Sequence, residues 1–162
     1  HLAHRLGDTK DGDFVEISAA AEAIAAALGA HLAQHGGVAL IIDYGGWRSL
    51  GDTFQAVRHH EATDPFAAPG EADLTAHVDF EALTRAAHPA AVSQLIPQGV
   101  LLEQLGITGR AQQLAQNLTG ATLETHIAAH RRLTHPQEMG TLFKAIALYQ
   151  PGTPPPPGFD AP

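Results

Sequence analysis

Cysteine is absent from the chain, which excludes disulfides and thiolate metal sites and leaves the redox compartment open. Basic residues are scarce: 9 Lys and Arg stand against 17 Asp and Glu, for a formal charge of −8. That balance repels a phosphate backbone, so no nucleic-acid partner is expected, and a cationic partner is favoured. No apolar run comes near the ~20 residues of a membrane span. No basic segment followed by an apolar one opens the chain as a secretory leader would. Neither is therefore expected. Glycine-rich phosphate loops are missing as well, because Gly45-Gly46 lacks a third glycine and a following helix. Ser18 has no G-x-S-x-G around it and reads as a helix cap rather than a nucleophile.

What is present suits one globular domain. The 162 residues are 44% hydrophobic and 16% charged, and a chain of this length buries roughly 68–70% of its unfolded surface. The 11 histidines make its charge sensitive to pH between about 5 and 8. The stretch that organises the rest is Val38-Ala39-Leu40-Ile41-Ile42-Asp43-Tyr44-Gly45-Gly46. An unbroken apolar run that stops at an acid, an aromatic and two glycines predicts a strand buried on both faces, as inside a parallel sheet. Ligands bind beyond the carboxyl ends of such strands. Asp43 and Tyr44 are thus the first candidate site residues.

Upstream, residues 1–12 suggest no element of their own, and few parallel neighbours for Val38–Asp43 precede it. We expect a remnant of an upstream region at 1–12, a body at 13–149 and a Pro-rich tail at 150–162, together the C-terminal part of a longer protein. Asp13 to Ile17 reads as extended and leads to the cap Ser18. A helix over Ala19–Gln34 follows, with Ile24, Leu28 and Leu32 on one face, stopped by Gly36-Gly37. Asp52 to His60 is expected to be extended, and Pro65, Pro69 and Gly70 to form a loop. Asp79 caps a helix to His88 that turns Phe80 and Leu83 inward and is closed by Pro89. A strand is expected over Ala90–Ile96, with helices at Gly99–Leu105, Thr108–Leu118 and Ala121–Leu133, the last apolar along Leu123, Ile127 and Leu133. The last strand is Thr141–Tyr149. Prolines at 151, 154–157 and 162 then keep the tail out of any sheet.

A second focus is Gly70-Glu71-Ala72-Asp73-Leu74-Thr75-Ala76-His77-Val78-Asp79-Phe80. If extended, its period of two sets Asp73, Thr75, His77 and Asp79 on one face and four apolar residues on the other. Cation binding, proton transfer and a merely solvated or capping edge all fit that pattern. His59-His60 and the helical pair His126 and His130 raise the question of a metal. The zinc-protease pattern needs Glu after the first histidine, Ile127 stands there instead, and no cysteine completes a structural site. Surface histidines are the better reading, and no metal is expected. Trp47, the single tryptophan, suits a core or lid position.

With these residues in view, the chain resembles the C-terminal part of the MidA-like S-adenosylmethionine-dependent methyltransferases, bacterial relatives of a mitochondrial complex I assembly-factor arginine methyltransferase. The likeness is carried by Val15-Glu16-Ile17-Ser18, by Gly37 through Gly45, and by Gly51-Asp52-Thr53-Phe54-Gln55-Ala56-Val57-Arg58. It continues through Pro69–Phe80, Leu105-Gly106-Ile107, Met139-Gly140-Thr141-Leu142-Phe143-Lys144 and Gly158-Phe159. The family's glycine-rich methyl-donor loop and the acid that grips the ribose belong upstream and are not in this chain.

The resemblance implies an α/β fold, the C-terminal half of a class I methyltransferase (Rossmann-like) sheet with flanking helices and its last strand antiparallel. It implies S-adenosylmethionine as cofactor and a protein substrate with a target arginine, linked to assembly of respiratory complex I. It also implies a cytoplasmic location in bacteria and a mitochondrial one in the eukaryotic relatives. Asp43, Asp73 and Asp79 would hold or neutralise the guanidinium, with His77 carrying its proton onward and Tyr44 beside them. The competing readings are a non-catalytic acidic module for a basic partner and an inactive fragment.

Overall fold

A computed structural model describes residues 3–159. After a single 3-10 turn at Ala3–Arg5 and an irregular stretch, Ser18 accepts a hydrogen bond from the Ala21 amide and starts α1, Ala19–His35. Gly36, at φ 78°, ends it. The chain turns directly into β1, Val38–Gly46. Three short strands follow, β2 (Gln55–Arg58), β3 (Glu61–Thr63) and β4 (Asp73–Thr75), then β5 (Val78–Asp79) and α2 (Phe80–Ala86). Next come β6 (Ala91–Val92), β7 (Ile96–Pro97), α3 (Gln98–Gln104), α4 (Ile107–Ala115) and α5 (Gly120–Thr134). A four-residue α6 (Met139–Leu142) leads into β8, Phe143–Tyr149.

The main sheet has the order β5-β1-β8-β6, with β7 also paired to β8. β8 runs antiparallel to β1 from Val38 opposite Tyr149 to Tyr44 opposite Phe143, as expected of the last strand. Its sequence, Phe143 to Tyr149, is apolar except at Lys144, and Ala145 through Leu148 are fully buried. β8 is therefore the strand covered on both faces. On one side α1 and α2 close a core of Ala25, Leu32, Phe80, Leu83, Ala87, Ile146 and Leu148, joined by Ala39 and Ile41 of β1. On the other, Leu101 of α3 and Phe159 cover Ala145 and Ala147. Among its described residues, 150–159, the tail makes no strand, as its prolines require, and Phe159 packs on α3; residues 160–162 lie outside the described residues.

Four expectations need correction. β1 is not buried on both faces: Val38, Leu40 and Ile42 are 55%, 52% and 37% exposed. The second layer, formed by α3 and Phe159, does not extend over β1, and β5 pairs with β1 only at Gly45 and Gly46. The strand expected over Ala90–Ile96 lies beyond β8 from β1 and is not continuous. That segment breaks into β6 and β7 because Ser93 interrupts the ladder: its hydroxyl oxygen accepts from the Ala147 amide at 2.9 Å in place of a backbone carbonyl. In α1 the buried face is Ala25, Gly29 and Leu32, while Ile24 is 62% exposed. The run Asp73–Phe80 is not one extended edge, being interrupted at Ala76 and His77 between two strands of different sheets.

A second sheet, β3-β2-β4, is antiparallel throughout. Its β2–β3 turn is His59-His60, with Arg58 opposite Glu61 and both histidines at positive φ. Two-residue hairpin loops demand that geometry at both central positions, so the histidine pair is a turn. His126 and His130 face α4 instead of open solvent. His126 Nε2 donates to the Ala111 carbonyl at 2.9 Å, and His130 Nε2 lies 3.1 Å from Thr108 Oγ1. Among the described residues no three potential ligands gather as a metal site would require.

Candidate functional site

The carboxyl end of β1 is held by an ionic network that ties three separate segments together. Arg5, only 3% exposed, donates to Asp8 and to the Ser49 carbonyl (2.8 Å), and its guanidinium lies 3.7 Å from Asp79. Arg48 forms a two-pronged pair with Glu81 at 2.9 and 2.7 Å and reaches Asp8 at 3.1 Å. The Arg48 hydrogen bonds hold the Glu81 carboxyl below the usual carboxylate range, and Glu81 in turn raises Arg48 further. Burial pushes the Asp8 carboxyl up, but Arg5 and Arg48 outweigh it and the net shift is downward. Trp47, beside Arg48, is 44% exposed and so belongs to no core; its carbonyl accepts from the Glu81 amide.

Asp79 belongs to this framework. One oxygen caps α2 through the Ala82 amide at 2.9 Å and the other accepts from the Ser49 amide at 2.9 Å. With Arg5 alongside, its charge is already matched. Asp43 accepts a local hydrogen bond from the Tyr44 amide. Asp73 is exposed on β4, opposite Val57. The five sequence candidates therefore divide: Tyr44 and His77 touch, Asp79 stands on β5 opposite Gly46, Asp43 stays with its neighbour Tyr44 in β1, and Asp73 lies apart on the second sheet.

His77 and Asp79 line a cleft of ≈ 960 Å³ between the start of α1, the face of α2 and the segments that flank the strands of the second sheet. Its walls include Phe14, Phe54 and Phe66, which are 55%, 38% and 77% exposed. Phe54 and Phe66 pack with centroids 5.9 Å apart. Glu16, Glu22 and Asp52 also line it, and among the described residues none of the three is paired with a cation. Opposed to them are Arg5, already engaged, and Arg85. Acids and exposed aromatic faces together make a site for an organic cation, which draws on both charge and the ring quadrupoles.

Sequence reasoning missed Glu16, Glu22, Asp52 and the three phenylalanines as site residues. The available signal was a lone acid between Val15 and Ile17 in an irregular segment, and Asp52 just ahead of Phe54. Only the fold brings these to His77. The residues present do not by themselves cradle an adenosyl group: the adjacent glycines Gly36-Gly37 and Gly45-Gly46 lie at a helix C-terminus and within a strand.

Comparison with known proteins agrees with the fold. The model of an S-adenosyl-L-methionine-dependent methyltransferase family matches residues 1–98. The mitochondrial protein arginine methyltransferase NDUFAF7 of Xenopus laevis is 37% identical over 144 residues, covering 87% of this chain and 33% of that protein. The human protein of that name is 35% identical over 138 residues, 84% of this chain and 31% of that one. A Burkholderia thailandensis protein solved with S-adenosyl-homocysteine is 31% identical, with a TM-score of 0.69 over 88% of this chain and 37% of that one. The chain spans about a third of the length of these curated relatives, and no helix among its described residues is long and apolar enough to cross a membrane. By the match over most of its length, the chain belongs to the S-adenosyl-L-methionine-dependent methyltransferase family.

Proposed function

We propose that this chain forms the substrate side of a methyltransferase that acts on an arginine side chain of a protein. Residues 13–149 would be the C-terminal part of the methyltransferase domain, with 1–12 joining an upstream region and 150–162 serving as a tail. The observation that carries the reading is the cleft, where unpaired acids face exposed phenylalanines beside His77. A guanidinium is planar, weakly hydrated and always charged, so it suits both partners better than an ammonium does. The relatives named as arginine methyltransferases point the same way. A connection to respiratory complex I follows the resemblance alone.

The methyl group comes from S-adenosyl-L-methionine. The work of this chain is to hold the acceptor nitrogen and to take the proton it sheds, because a guanidinium stays protonated near neutral pH and presents almost no free base. His77, lining the cleft against the Tyr44 ring, is the proton acceptor in this scheme. Asp43 and Asp73 contribute negative potential from outside the cleft, and Asp79 fixes its wall.

A direct test replaces the matching third of the Burkholderia thailandensis relative with this chain and measures transfer of labelled methyl from S-adenosyl-L-methionine to arginine peptides. Label on arginine nitrogens is the expected result. Label confined to other residues, or none, would overturn the reading.

A further inference from the structure

The carboxylate best prepared for a cation is one that sequence reasoning did not assign. Glu16 sits in the irregular lead-in to α1 and lines the cleft, half-buried. Its Oε1 accepts from the Thr53 amide at 3.0 Å, and its Oε2 accepts a short hydrogen bond from Thr53 Oγ1. The Glu16 amide itself donates to Ser49 Oγ at 3.1 Å. Thr53 Oγ1 in turn accepts from the His77 amide at 2.8 Å. A relay of hydrogen bonds thus connects His77, Thr53 and the Glu16 carboxylate, while Ser49 holds the Glu16 backbone.

That arrangement orients the carboxylate without cancelling its charge, since Thr53 supplies hydrogen-bond dipoles and no cation. An ion pair made there is pre-organised: the rotamer is locked before a ligand arrives. By contrast, Asp79 is matched by Arg5, and Asp43 and Asp73 do not line the cleft. We infer that Glu16, oriented by Thr53, is the carboxylate that receives the substrate's guanidinium, with Phe54 and Phe66 forming the aromatic wall along which the side chain lies. This rests on the arginine reading above and deepens it by naming the specificity-determining acid.

The test titrates this chain with Nα-acetyl-arginine methylamide while following the Thr53 and Phe54 amides by NMR. The expected result is saturable movement of the Thr53 amide, since its acceptor is the carboxylate that the ligand engages. Glu16→Gln keeps an oxygen for Thr53 and removes the charge, so it should melt with wild type and bind about tenfold more weakly or worse. Phe66→Ala, at an exposed ring, should weaken binding severalfold without unfolding. Unchanged affinity in Glu16→Gln, or wild-type shifts confined to residues away from the cleft, would overturn the inference while leaving methyl transfer by the chimaera untouched. An equal response to the lysine analogue would support Glu16 as a cation site and overturn arginine as its ligand.

Discussion

Tyr44 and His77 meet edge to face with ring centroids 5.8 Å apart, one near the end of the long strand and the other in the connection between two sheets. Phe143 touches the same tyrosine ring at 5.5 Å, so Tyr44 is clamped from the β8 side and presents its remaining edge to His77. His77 is exposed, so replacing its imidazole should affect chemistry more than folding.

From this, His77→Ala in the chimaeric enzyme should lower methyl transfer by roughly 10²–10⁴-fold, the range for loss of a positioned acid–base group. Its melting temperature should stay close to wild type. Added imidazole should restore part of the rate, with a pH dependence that follows the added base. A variant with full activity would remove His77 from the proton path.

Asp79 should behave in the opposite way. Asp79→Ala removes the cap of α2 and leaves Arg5, 3% exposed, with one carboxylate fewer. A lost cap costs about 1 kcal/mol, and the weakened buried pair adds to it. Urea unfolding should show a clear drop in midpoint, and Asp79→Asn, which can still accept a hydrogen bond, should recover part of it.

Acid should loosen the network around Arg48. Asp8 and Glu81 are both held below their ordinary values in the folded chain. A depressed folded pKa contributes stability that is complete above the unfolded value, near 4 for these acids, and that disappears as pH falls through the folded one. Trp47 fluorescence, reporting the segment next to Arg48, should therefore change below about pH 4. Arg48→Met should shift that change to higher pH, toward the unfolded carboxylate values.

Gly29→Ala tests the contact between α1 and α2. Inside a helix this exchange normally stabilises by about 0.8–1 kcal/mol. Here the added Cβ would stand 1.8 Å from the Ala87 carbonyl oxygen, so the helices must separate. Overpacking of this kind costs about 1–3 kcal/mol, and a lowered urea midpoint is the expected outcome.

The exposed row Val38, Leu40 and Ile42, next to the sparsely paired edge of β1, should promote association, as open edges and apolar patches do. Light scattering of the isolated chain should rise with concentration, and Leu40→Lys should reduce it. A monomer at every concentration would show that the strip is harmless.

Sequence alone determined the local features. Ser18 and Asp79 mark helix starts because short polar side chains can reach free amides one turn ahead, and Gly36 marks a stop because it tolerates a positive φ. Val38 through Asp43 and Phe143 through Tyr149 declared strands by composition, although Thr141 and Leu142, expected in the last strand, close α6 instead, and the quoted motifs identified the family. Tertiary structure decided what each strand and each acid does. Apolar composition cannot say whether one or two layers cover a strand; β8 received both, whereas β1 keeps one face open. Nor can an acid's identity in sequence reveal its partners. Asp79 reads like a site residue until Arg5 and the Ser49 and Ala82 amides are seen to engage it. Glu16 reads like an incidental acid until Thr53, far along the chain, is found fixing it beside His77. Charge matching and hydrogen-bond orientation are relations between distant segments, and folding alone creates them.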